Sequence, residues 1–218
     1  MSRVIDYSKW DNLECSSSEE EEETEAVPTE QFGKMPVLDA MKNNFSDKAS
    51  WWNGLRPEDR YEWLVNCYQM RVDDDYAWGG NLRGLYDCGD DPDRRDITRD
   101  FFVFCRFAKE NGVLPEEGFE WRPLIERAKK LLGFAFEKSD AKERWGGENV
   151  FSAGPSLRRT AEHVYGVAMA GEDEQFREKV RAHEDDFDEG MKRSAGLLES
   201  YGGKGLWAEL LRDMVLVG

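Results

Sequence analysis

Histidine is almost absent from this chain: His163 and His183 are the only two among 218 residues. The four cysteines, Cys15, Cys67, Cys88 and Cys105, are widely spaced and form no CxxC pair. Known zinc spacings are therefore not met, and free thiols in a reducing compartment are the plain reading. Long apolar runs are missing as well. No stretch approaches the ~20 apolar residues that cross a bilayer. The first residues carry Arg3, Lys9 and acids, and lack the apolar segment of a signal peptide. Positive charge is outnumbered, with 30 Lys and Arg against 46 Asp and Glu, for a formal net charge of −16. Such a surface repels phosphate backbones and anionic lipid, so neither nucleic acid nor a membrane is an expected partner. Together these absences predict a soluble cytoplasmic or nuclear protein with no metal and no other cofactor.

What the chain does have is aromatic and apolar mass. The hydrophobic share is 39 %, with eight Trp and twelve Phe, enough for a substantial core. The length fits one domain plus a tail. The tail is visible as a composition shift. Residues 1–30 hold ten acids, including the unbroken run Glu19 to Glu23, against Arg3 and Lys9. Such a segment buries too little to offset its ordering entropy, so residues 1–33 are expected to be a disordered acidic tail ahead of a helical domain over 34–218. Within it, Tyr7 and Trp10 either dock a partner or fold back on the domain.

From about Met35 the pattern turns helical. Pro57, Glu58 and Asp59 suit a helix start. Tyr61, Leu64, Val65, Tyr68 and Val72 then recur on one helical face, which Gly79-Gly80 ends. The Gly- and Asp-rich stretch 79–94 reads as a loop. A second helix is predicted from about Pro92 to Glu110, apolar nearly all round from Phe101 to Ala108 and stopped by Asn111-Gly112. A third is predicted from Pro123 to about Lys138 and a fourth from Pro155. Amphipathic segments follow at about 172–184, 187–200 and 204–216. With no alternating strands and no repeat, the predicted fold is all-α.

Candidate chemistry is sparse. Ser16, Ser17 and Ser18 each have a glutamate three residues on, the pattern read by an acidophilic kinase of the casein kinase II kind. Asp73, Asp74 and Asp75 crowd the C-terminal end of the first long helix, where negative charge is unfavourable. Structural pairing, with Arg71 or Arg83, is expected over a metal site. A calcium loop beginning at Asp87 fails, because position 6 is Pro92 and position 12 is Thr98. Gly79-Gly80 and Arg83-Gly84 make no phosphate loop, and Ser152 and Ser156 lie in no nucleophile elbow. His163 sits alone on a helix.

Two stretches resemble known proteins. Asp6-Tyr7-Ser8-Lys9-Trp10-Asp11, leading into serines and acids, resembles the N-terminus of the kinase-specific co-chaperone of the ninety-kilodalton heat-shock chaperone. That likeness implies a casein kinase II serine among Ser16 to Ser18 and a heat-shock chaperone as partner. Tyr68 to Tyr86, Phe101 to Pro115, Glu137 to Asp140 and Leu157 to Gly166 resemble, in order, the C-terminal helical region of poorly characterised MYND-finger proteins. The finger's Cys/His array is missing from residues 1–66, so the likeness implies a helical domain without an assigned activity.

The leading expectation is a non-enzymatic protein-interaction or regulatory protein whose acidic tail is tuned by phosphorylation. One alternative is an enzyme or small-molecule binder with a pocket near loop 79–94, formed by Asp73, Asp75, Tyr76, Trp78, Arg83 and His163. Another is a subunit of a larger assembly, with Val215-Leu216-Val217 buried by a neighbour. As fold roles, Tyr76, Trp78 and Tyr86 would anchor the glycine corner, Arg71, Asp75 and Arg83 would form an internal charged cluster, and Arg158 would pair with Glu162.

Overall fold

The computed structural model describes residues 48–87, 93–145, 156–168, 172–193 and 196–216, all within one unit, Met35–Gly218. Eight α-helices occur among them: α1 (Ser50–Gly54), α2 (Arg60–Gly79), α3 (Arg94–Glu110), α4 (Trp121–Leu131), α5 (Lys138–Trp145), α6 (Leu157–Tyr165), α7 (Glu174–Lys192) and α8 (Lys204–Asp213). Two single 3-10 turns, Gly84–Tyr86 and Glu199–Tyr201, complete the list. The described residues contain no strand, only an isolated bridge between Gly133 and Leu216. The fold is all-α, as the periodicity predicts.

Two helices form the centre. α2 packs between α4 and α6, and α3 packs against α6, α7 and α8. The predicted apolar face of α2 is inward, but so are Trp63, Cys67, Met70, Asn66, Gln69, Arg71, Asp74 and Asp75. α2 is therefore buried on most of its circumference despite its polar content. In α3 the aromatic run predicted to be central is fully enclosed: Phe101, Phe102, Phe104 and Phe107 pack edge-on or tilted against Tyr68, Tyr165, Phe187 and Trp207. Burying each such ring contributes on the order of 1.5–3 kcal/mol.

Helix ends follow local chemistry. Gly80, at φ 63°, closes α2 in the left-handed conformation, and the N–H groups of Gly80 and Asn81 donate back to Tyr76 and Asp75 carbonyls. The side chains of Asp93, Ser156 and Asp173 cap α3, α6 and α7 by accepting from N–H groups two or three residues on. Ser156 is thus a cap, fully engaged in fold.

Two expected boundaries are wrong. The helix predicted from Pro123 to Lys138 breaks after Leu131, and a separate α5 begins at Lys138. Gly133 meets the C-terminal segment there: the Val215 N–H donates to the Lys129 carbonyl, and a Cβ on Gly133 would lie 1.9 Å from the Val215 oxygen. Gln69 holds the break open from the other side. Its amide donates to the carbonyls of Leu131 and Phe134, both at 2.8 Å, and accepts from Asn66, whose oxygen receives the Trp145 indole N–H. The segments predicted at 172–184 and 187–200 are instead one helix, α7, running to Lys192. Arg106 and Arg95 from α3 neutralise Asp186 and Asp188, so the acid cluster at 184–188 does not interrupt it.

Candidate functional site

Tyr68, Arg71 and Asp75 stand at i, i+3 and i+7 of α2, on one face. That face meets the 84–86 turn and α6, and Tyr68 reaches Asp100, Phe101 and Phe104 of α3. The Arg71 guanidinium is buried. Its Nε donates to both Asp75 oxygens at 2.9 and 3.1 Å, its Nη2 to Glu172 at 2.6 Å, and its Cζ lies 5.1 Å from the centre of the Tyr165 ring. Arg83 enters from the loop. Its Nη2 reaches Asp75 at 3.1 Å and donates to the Tyr165 hydroxyl at 2.9 Å, while Nη1 is 3.9 Å from Asp100. Asp100 also accepts from the Tyr68 hydroxyl at 2.8 Å. Tyr165 is thus enclosed by two guanidinium groups, and two arginines face three acids.

The internal charged cluster expected of Arg71, Asp75 and Arg83 is present, and Tyr68, Asp100, Tyr165 and Glu172 enlarge it. Burial raises the Asp75 carboxyl, against the opposing pull of Arg83 and Arg71. Burial also pushes the Tyr68 and Tyr165 hydroxyls well above the usual phenol range. Arg83 is held protonated by Tyr165, Asp100 and Asp75 in spite of its burial. These groups lock one another through hydrogen bonds and ion pairs. Gly84 permits the close approach: at φ 53° it lies where a Cβ would meet the Tyr68 hydroxyl at 2.5 Å and Asp100 Oδ2 at 2.9 Å.

The six residues expected to converge on a pocket do not. Asp75 and Arg83 belong to the buried cluster. Asp73 turns outward and accepts from the Tyr86 hydroxyl at 3.0 Å. Tyr76 is half exposed and stacks on Tyr86, with ring centres 4.5 Å apart. Trp78 is 76 % exposed and anchors nothing on the core, in contrast to the role expected of it. His163 lies on another face of α6. Its charged neighbours are Arg159, Lys48 and Glu162, and burial followed by Arg159 and Lys48 lowers its pKa. Asp74 is held by a two-pronged grip from Arg158 at 2.6 and 2.7 Å. Leu216 packs on the protein's own core and Val215 is half exposed.

What the end of α2 and the loop after it do present is a set of individually exposed apolar side chains. Tyr76, Trp78 and Leu82 are the exposed large apolar side chains of this stretch, and Phe134 is a fourth from the α4–α5 connection. Val72, Leu85, Tyr86, Leu132, Phe134 and Phe136 line a shallow crevice of about 10 Å³. Burial and the nearby Asp74 and Glu137 charges raise the pKa of Asp73. The Phe134 and Phe136 contribution was not legible in the sequence, because both residues fell inside a predicted helix.

Among the described residues no group of three or more His, Cys, Asp or Glu is placed to hold a metal ion, and no helix is long and apolar enough to cross a membrane. Cys67 and Cys105 are buried free thiols, raised well above the usual thiol range by burial. Tyr7, Trp10, Ser16, Ser17, Ser18, Cys15 and Cys88 lie outside the described residues. No family model, curated protein or solved structure matches the chain.

Proposed function

We propose that the helical domain is a non-enzymatic interaction module that docks a protein partner on the exposed apolar side chains at the end of α2. One observation carries the reading. Trp78, Leu82 and Tyr76, close in sequence, are each exposed, at 76, 58 and 47 %, while the neighbouring Arg71, Asp75 and Arg83 are paired in the interior. Exposed Trp and Tyr are the residue types enriched in binding hot spots. The crevice lined by Tyr86 and Phe134, at about 10 Å³, is far smaller than the roughly 300–1,000 Å³ that encloses a small-molecule ligand. The acidic tail would tune docking through Ser16, Ser17 and Ser18, since each phosphate adds about −1.5 to −2 charge. A casein kinase II type enzyme would be the modifier, and a heat-shock chaperone is the partner that the tail's likeness suggests.

The test is comparative capture from native cells, using the full chain, the chain lacking residues 1–33, and a Trp78→Ser/Leu82→Ser variant with a wild-type unfolding midpoint. Loss of specific proteins from the double variant supports docking through Trp78 and Leu82, and recovery identical to the wild type refutes it. Intact mass without phosphate on Ser16 to Ser18 removes the tail switch.

A further inference from the structure

An open cleft of about 640 Å³ lies between α1 and the loop 112–118. Trp52 lines it as a buried residue, Leu114 and Pro115 as half-buried ones, and Asn53, Glu116 and Glu117 as exposed ones. The cleft is thus apolar at depth and acidic at its mouth. The Trp52 ring is fixed in place. Trp51, Tyr61 and Phe119 pack on it with ring centres 5.4 to 6.0 Å away, and the Arg60 guanidinium carbon lies 4.8 Å from its centre. Its indole N–H, however, is unspent. The N–H groups of Trp51, Trp145 and Trp207 donate to the Val113 carbonyl, Asn66 Oδ1 and the Tyr201 carbonyl. No acceptor among the described residues takes that of Trp52, whose side chain is only 5 % exposed. Nor is the nitrogen sealed in, as that of Trp63 is. A Cβ on Gly118, which also lines the cleft, would lie 3.9 Å from it. A donor at this depth is satisfied by what enters the cleft. The acids at the mouth are unspent as well. Glu62, Glu110, Glu126 and Glu209 are each held by an arginine or lysine, whereas the described residues place no cation against Glu116 or Glu117. Arg60 is committed to the Trp52 ring and the Leu55 carbonyl.

We infer that this cleft receives a short basic segment of a partner protein in extended conformation. One carbonyl of the segment accepts from the Trp52 indole N–H. An aliphatic side chain or stem lies against Leu114 and Pro115, and a lysine or arginine faces Glu116 and Glu117. The rigid ring is an anchor organised in advance, and the chain's net charge of −16 steers a basic segment toward it. The exposed mouth lets a continuous chain pass through, where an enclosed small-molecule site would cover most of its ligand. This surface is separate from docking through Trp78 and Leu82: Trp78 lies about 25 Å beyond Tyr61 along the α2 axis.

A phage-displayed library of short random peptides, panned on the full chain, tests the inference. Enriched sequences should carry Lys or Arg next to aliphatic residues. Synthetic copies should bind about tenfold more weakly to the exposed-site variant Glu116→Gln/Glu117→Gln, with a shallower salt dependence. They should bind about fivefold more weakly to Trp52→Phe, which keeps a ring and removes the N–H. In ¹⁵N-labelled protein the indole N–H resonance that Trp52→Phe deletes should shift on peptide addition. Binding should be unchanged in Trp78→Ser/Leu82→Ser. Enriched peptides without a cation overturn the inference, as does unchanged affinity in Glu116→Gln/Glu117→Gln or an unmoved Trp52 resonance. Peptides lost only on Trp78→Ser/Leu82→Ser also overturn it, and leave the docking reading standing. An absence of enriched peptides on the wild type overturns it too. If a Val37→Asp/Leu38→Asp variant then enriches them, the occupant is the chain's own segment ahead of Ala49 and not a partner. The unfolding midpoint of each variant in urea separates lost binding from lost fold.

Discussion

Gly84→Ala is expected to be among the most damaging single-methyl changes in this protein. Gly84 sits at φ 53°, where an L-residue pays about 1–2 kcal/mol in backbone strain. Its new Cβ would also meet the Tyr68 hydroxyl at 2.5 Å and Asp100 Oδ2 at 2.9 Å. Neither can retreat easily. The Tyr68 ring is held edge-on by Phe101 and Phe104, and Asp100 is bound to that same hydroxyl. Overpacking of this kind costs about 1–3 kcal/mol more. The total, about 2–5 kcal/mol, corresponds to a fall in Tm of about 4–20 °C for a chain of this size. Gly80 supplies the control. It has a similar φ of 63°, but nothing lies within 4 Å of its Cβ position, so Gly80→Ala should cost only the strain. Urea unfolding followed by tryptophan fluorescence measures both. The Gly84→Ala/Tyr68→Phe double variant should be less than additive, because it removes the nearer obstacle. Equal losses for Gly84→Ala and Gly80→Ala would refute the claim that the charged cluster is sterically closed.

Further perturbations bear on other parts of the argument. Arg71→Met should destabilise by about 3–5 kcal/mol in urea titration, because it leaves Asp75 and Glu172 short of a buried counter-charge; a loss under about 1 kcal/mol would show that water reaches the cluster. Asp73→Asn should stabilise the isolated domain at neutral pH. The folded-state pKa of Asp73 is raised above its usual 3.8, so its ionised form opposes folding, and the gain should vanish as pH falls through that raised value. His183 is buried against Phe107 and Glu110, and burial, with Arg106, holds its pKa below 6.5. The unfolded chain therefore takes up the proton first, so stability should decline as pH falls from about 7 to about 5, a slope that His183→Gln should flatten. Trp145→Phe should cost about 1–3 kcal/mol, because the buried Asn66 oxygen loses its indole donor.

Much of the fold was legible because its helix ends are signalled locally. Gly79-Gly80, Asn111-Gly112 and the capping serine and aspartates act within a few residues of themselves. The errors arise where distant chain decides. Nothing near Gly133 announces that Val215 will bridge to Lys129, nor that Gln69 will take the carbonyls of Leu131 and Phe134. The acid cluster within α7 reads as an interruption until Arg95 and Arg106, some eighty to ninety residues earlier, are brought alongside. The cluster of Arg71, Asp75 and Arg83 was readable from spacing and charge. Its completion by Asp100, Tyr165 and Glu172 required the fold. Trp78 was misjudged because aromatic mass beside glycine usually means an anchor, and only the packing shows that the ring faces solvent.

The enclosure of α3 bears on how the protein is made. Its partners α6, α7 and α8 all follow it in the chain, and Trp207, which meets Phe101 and Phe102, is about a hundred residues later. At synthesis rates of roughly 5–20 residues per second, that delay is on the order of 5–20 s. For that interval the Phe101–Ala108 stretch has left the ribosome without most of the surfaces that cover it. Partial chains ending before α8 should therefore aggregate or recruit holdases, whereas α2 can begin pairing with α4 much sooner. Nascent chains stalled at successive lengths would place the onset of protease resistance late, after α8 emerges.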